Sequence, residues 1–497
     1  MSHMAKGYRA TGNLPLFGYA HHNRPKLPQP MKDSPVVAIT GLGIVCGYGA
    51  GVDAFWAGLC SGQTSLRPVT RFKADAANCN LAAEVPAGIA AKDYVPKHYR
   101  KGVKVMARDT ELAVIAAAEA AKDGKLTTRM HSGDSETPIP TTYPSNRCGC
   151  HIGAGLLPAE VPEITSAFAT ARSNEPGRSG YLSLKAWGTI SGEDPAQPVG
   201  GMNNLPPLWM LKYLPNMLAC HVTILHGLEG PSNTLTCSEA SGMLCIGESG
   251  RVIERGAADL CFSGGAESKV NHLGTVRSQL LGRLANHSGG DTIALRPYAT
   301  DSSGTVPGEG GAIIILERDD LAAKRGCTRY ATVIGFGAAH SLPVSVPVLE
   351  ESHPPLFGAD RPRRNGLTLA IAAALKDAGL KPEDIDAVVP QALCVCKHDC
   401  GELAALREVF GYRLSSMPLI ALSPLLGDCA AGSGSLQVAA GALCLHHQRI
   451  PARVHGGGAP AVIDVGPAPS RPATLRHVLV CTGSLAGQNA AIVLARA

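Results

Sequence analysis

The stretch "SNTLTCSEASGMLCIGESG", residues 232–250, decides the fold. It has the form of a loop that delivers a cysteine to the start of a helix, yet neither of its cysteines stands at the turn. Continued to residue 257 as "SGMLCIGESGRVIERGA", its second part reads as a helix, with Met243, Leu244, Ile246, Val252 and Ile253 in an approximate apolar stripe. "ADLCFSGGAES" (258–268) follows as a strand ending in glycines. Helices alternating with strands in this way argue for α/β layers.

The same grammar extends outward. "SPVVAITGLGIV" (34–45) reads as a buried strand entering a glycine turn, and residues 103–126 have helical composition and periodicity. Residues 127–147 are a polar, Pro-rich loop, and "CGCHIGAGL" (148–156) is a short strand followed by glycines. The second half repeats the pattern: strands at 329–339 and 385–393, helices at 365–380 and 429–447, and a strand pair over 475–495. This weak two-fold echo predicts two similar halves packed as one body. Residues 1–34 read as a tail beginning with an expression remnant, "MSHM". The N-terminal half then covers 35–315, with a long irregular insertion near 162–210, and the C-terminal half covers 316–497.

Composition narrows the classes of function. At 497 residues and 45% hydrophobic content, the chain has ample material for a large core. A net charge of only +5 gives no general argument for nucleic acid. No run is long and apolar enough for a membrane span, and no signal peptide is expected. The 16 cysteines are scattered, many in apolar runs, which reads as reduced thiols in the cytoplasm. "GLGIVCG" lacks the context of a dinucleotide site.

Several blocks together resemble one family, the β-ketoacyl-acyl carrier protein synthases of fatty-acid and polyketide assembly. "VAITGLGIVCGYGAGVDAFWAGLCSGQTSLRPVTRF" resembles their opening strand and helix, and "LEGPSNTLTCSEASGMLCIGE" their nucleophile elbow. "LRPYATDSSGTVPGEGGAIIILERDDLAAKRG", "LLGDCAAGSGSLQ" and "TGSLAGQNAAIVL" resemble later blocks. The resemblance runs from about Val36 to the C-terminus. It implies the thiolase fold, with two sheets in five α-β-α-β-α layers, and normally a dimer.

The resemblance also implies a site. Family members use a cysteine thiolate at a helix N-terminus, activated by dipole and N–H groups, with two histidines and a lysine. Here the nucleophile position falls on Glu239, the first histidine on Gln391, the second on Asp428 and the lysine on Ser423. Cys237 is two residues early. Leu485 takes the gatekeeper position, and its N–H with that of residue 239 forms the expected oxyanion hole. Gly483, Gly487 and Asn489 complete the expected substrate-binding turn. No cofactor or metal is implied; the phosphopantetheine arm of an acyl carrier protein is the substrate carrier. Lys97, Arg100, Lys101 and Lys104 in "KHYRKGVKVMAR" are candidates to dock that carrier, against a plainer role as a solvated helix face.

Three functions follow from this pattern. The first is a chain-length-factor-like partner of an active ketosynthase. The second is an enzyme using Glu239 and Asp428 for acid–base chemistry on carrier-bound acyl chains, by dehydration, isomerisation or hydrolysis, or a malonyl decarboxylase, which the Asp428 charge disfavours. The third is a homodimeric carrier-binding protein. "CVCKHDC" (394–400) is weighed as a metal strand, with Cys394, Cys396, His398 and Cys400 on one face, against ordinary loop and core thiols.

Overall fold

Strand alternation divides the chain into layers. In the strand Glu309–Arg318, Ala312, Ile314 and Leu316 join one buried cluster, and Ile313 and Ile315 join another. In Gln488–Ala495, Ala490, Ile492 and Leu494 join the first cluster, and Ala491 and Val493 a third. Successive side chains leave a strand on opposite faces, so each sheet is apolar on both sides and must be covered on both. Two helices fill the shared middle: Ser241–Glu254 packs on Leu260–Ser268 and Cys148–Gly153, and Ser433–His447 packs on His477–Gly483 and Glu309–Arg318. Helices Arg108–Asp123 and Met217–His226 cover one outer face, and Gly366–Ala378 and Cys396–Phe410 the other. These are the five layers of the thiolase fold.

The computed structural model describes residues 34–132, 139–156, 159–173, 175–183, 187, 210–287, 290, 293–341, 365–454, 463 and 466–497. The expected tail, and most of the expected insertion near 162–210, lie outside them. The strands of the first half run 232–235, 148–153, 260–268, 309–318 and 37–46 across the sheet; those of the second run 331–340, 488–495, 477–483 and 387–389. A short ladder, Val37–Ile39 against Ala331–Val333, joins the two sheets. Gly43 makes close packing of the outer helix possible: a Cβ there would stand 1.8 Å from the Ala116 carbonyl oxygen.

Several expectations are corrected. Of the two readings of "CVCKHDC", the strand with one metal-binding face does not form: Cys394 sits in a turn at φ 67°, and Cys396 opens a helix of 15 residues. The i, i+2 alternation was misleading because the following "GELAALREVF" carries helix formers that extend the turn. Cys237 lies two residues past the end of the strand Ser232–Leu235, in the turn before the central helix. Residues 162–210 are not wholly irregular, since Val161–Ala169 is helical. The basic run forms two short turns, Lys97–Tyr99 and Arg100–Val103, rather than one helix.

Candidate functional site

The edge strand Ser232–Leu235 leads into a sharp turn, and Ser238 takes φ 51° to make it. A single 3₁₀ turn, Ser238–Ala240, then opens the central helix. Ser241 fixes this elbow: its hydroxyl donates to the Ser238 carbonyl at 2.6 Å and accepts from the Cys237 N–H at 2.8 Å. Glu239 is thereby placed at the helix start with only 1% of its surface exposed.

The second half builds a matching elbow. Ala430 has φ 44°, the 3₁₀ turn Ala430–Gly432 follows, and the helix begins at Ser433. The two elbows nearly touch: a Cβ on Gly242, at the start of the first central helix, would stand 2.8 Å from the Ala431 carbonyl oxygen. This contact brings Asp428 beside Glu239.

Glu239 makes a dense set of contacts. Its Oε2 accepts from the Leu485 N–H at 3.1 Å, and its Oε1 lies 2.5 Å from Arg283 Nη2. Burial alone would raise the carboxyl. Arg283, its own backbone N–H, His398 and the Leu485 N–H outweigh that and hold it down at about 2. One donor of the expected oxyanion hole, the Leu485 N–H, is therefore taken by the Glu239 carboxylate.

Asp428 behaves oppositely. Its Oδ1 accepts from the Ala430 N–H at 2.8 Å, and its Oδ2 is 3.8 Å from Arg283 Nη2. Burial and the nearby Glu239 charge raise its pKa, although Arg283 and Lys269 pull the other way. Lys269 is held by Glu267 at 2.5 Å, and that carboxylate also accepts from the Ala431 N–H at 2.9 Å.

Gln391 is 3% exposed; its Oε1 accepts from the Gly483 N–H at 3.1 Å, while its Nε2 has no hydrogen-bond partner. Ser423 donates to the Gln391 carbonyl at 3.1 Å and so supports the backbone there. Gly487 (φ 90°) and Asn489, which donates to the Gly487 carbonyl at 2.8 Å, shape the turn that presents Leu485. Lys97, Arg100, Lys101 and Lys104 are all exposed on their short turns. Among the described residues, no group of three or more His, Cys, Asp or Glu is placed to hold a metal ion. No described helix is long and apolar enough to cross a membrane.

Sequence reasoning missed the cations. Arg283 lies after the helix His272–Leu280, tied by its N–H to the Ser278 carbonyl and by its carbonyl to the Thr305 N–H. His398 turns inward from its helix, with Nδ1 3.9 Å from Asp399 Oδ1; burial opposes its charge, but Asp399 and Glu402 raise its pKa overall. The available signal was electrostatic: two carboxylates sharing a buried site require counter-charge. Cys237 is only part-buried, and burial raises its thiol pKa.

Comparison with known proteins accords with this architecture. The chain matches the models for "Beta-ketoacyl synthase, N-terminal domain" over residues 34–322 and "Beta-ketoacyl synthase, C-terminal domain" over residues 355–456. It is 24% identical to a 3-oxoacyl-[acyl-carrier-protein] synthase 2 of Staphylococcus aureus (strain COL), over 93% of this chain and 99% of the relative. A synthase of the same name from Synechocystis is 25% identical over 84% of this chain and 87% of its own. Among solved structures, the ishigamide ketosynthase/chain length factor superposes with a TM-score of 0.72 at 24% identity, covering 93% of this chain and 100% of the other. A type II PKS acyl-carrier protein in complex with its ketosynthase bound to the hexaketide gives 0.69 at 18% identity, with the same coverage.

Proposed function

The chain belongs to the beta-ketoacyl synthase family, and we propose that within it this protein is a non-condensing, chain-length-factor-like partner of an active ketosynthase. One observation carries the reading. The position that resembles the family's nucleophile holds a carboxylate kept ionised by Arg283 and bonded to the Leu485 N–H, one of the donors that would otherwise receive a thioester oxygen. A carboxylate paired with a guanidinium in this way is a poor nucleophile, and it occupies a donor that the thioester oxygen would need. The likeness to a ketosynthase/chain length factor supports the reading at the level of fold. So does the edge strand Ser232–Leu235, which among the described residues pairs on one side only and starts with two exposed residues; open edges of this kind need covering. The carrier protein would meet the exposed Lys97, Arg100, Lys101 and Lys104, and its pantetheine arm would bring the acyl chain to the pair.

Co-expression with candidate ketosynthases, followed by native mass measurement, tests the proposal. A one-to-one complex with condensing activity is expected, and condensation by the purified chain alone would refute it. A second reading rests on the opposite pKa displacements of Glu239 and Asp428, which can divide base and acid roles. In that case Glu239→Gln abolishes turnover of a carrier-bound acyl substrate, whereas a partner role leaves the complex working.

A further inference from the structure

We infer that Arg283 is a specificity-determining residue: its side chain, not Glu239 alone, bars acyl chains from this chain's own elbow. The inference rests on the proposed non-condensing role and names the device that enforces it.

The argument is one of space. An electrophilic carbon attacked from residue 239 must approach to about 3–3.5 Å of the attacking atom. Its oxygen must at the same time reach the N–H groups of residues 239 and 485. Arg283 Nη2 stands 2.5 Å from Glu239 Oε1 and 3.8 Å from Asp428 Oδ2, so the guanidinium occupies the approach. It is a fixed plug. The Arg283 side chain is 11% exposed, and its backbone is bonded to Ser278 at 2.9 Å and Thr305 at 2.7 Å. Gly304, at φ 117°, allows that approach, since a Cβ there would lie 2.6 Å from the Arg283 carbonyl oxygen. Asp428 is a second anchor, so Arg283 keeps a reason to stay when Glu239 is replaced. A cysteine supplied at position 239 would still face a blocked, charged approach.

The test supplies that cysteine with and without the plug. Glu239→Cys and the double variant Glu239→Cys/Arg283→Ala are incubated with the octanoyl thioester of N-acetylcysteamine and followed by intact mass. The reaction is transthioesterification: the residue 239 thiolate attacks the carbonyl carbon, the new C–S bond forms, and the N-acetylcysteamine thiolate leaves and takes a proton from water. The double variant is expected to acylate at least about tenfold faster than the single. Glu239→Cys/Arg283→Ser serves as a second unplugged protein, with circular dichroism verifying that each is folded. Equal rates in plugged and unplugged proteins would overturn the inference, as would no acylation of either folded double variant. Those outcomes leave the partner role standing, because that role fails only if the wild-type chain turns over substrate by itself.

Discussion

The two elbows solve one electrostatic problem in different ways. Each has a left-handed residue, a 3₁₀ turn and a central helix, and each presents N–H groups that attract a carboxylate. At the second elbow the residue matching Glu239 is Ala431, and the carboxylate arrives from Glu267 on a neighbouring strand, with Lys269 as its cation. At the first elbow the carboxylate is the side chain of the elbow residue, with Arg283 as its cation. The second arrangement ties two layers together. The first places the same lock on the position that the family resemblance marks for a nucleophile.

The largest expected effect that sharpens this contrast is on Arg283. Arg283→Ala leaves a buried, ionised Glu239 without its close partner and should cost about 3–5 kcal/mol, read by urea unfolding. Glu239→Ala/Arg283→Ala should recover much of that loss, because no uncompensated charge remains. If the single and double variants are equally destabilised, the pair is not a lock.

The pH dependence comes next. The lowered Glu239 carboxyl contributes stability above the ordinary carboxylate range, and this is lost as pH falls from about 4.5 to about 2. Asp428 has the opposite sign: its raised pKa favours folding while it is protonated, and that contribution fades as pH rises past its ordinary value. Unfolding curves of Glu239→Gln should have a shallower acid limb than wild type, whereas curves of Asp428→Asn should keep it.

Lys269→Ala should cost less than Arg283→Ala, about 1–3 kcal/mol, because Lys269 pairs with Glu267 alone whereas Arg283 lies between Glu239 and Asp428. An equal cost at the two cations would erase the difference between the elbows. Cys237→Ser should be the mildest change, within about 0.5 kcal/mol, with no altered reactivity toward acyl thioesters. A wild-type adduct lost in that variant would move the nucleophile to the loop.

The fold was legible because its signals are periodic and local: apolar strands, glycine turns and central helices with small residues. Glu239, Gln391 and Asp428 were legible as positions because their spacing along those elements resembles that of a family. Arg283 was not legible. It lies in "GRLANHSGG", which has no period, and its partner is distant in the chain. His398 was read with the cysteines around it, although its helix turns it toward Asp399 instead. Such counter-ions are set by tertiary contact, which sequence pattern does not encode.

The most direct test is to incubate the purified chain with malonyl- and acyl-carrier proteins and read intact protein mass and thioester products together. The account predicts no adduct and unchanged thioesters, in wild type and in Glu239→Gln alike. A product that forms with wild type and disappears in Glu239→Gln would contradict it and make Glu239 a catalytic carboxylate.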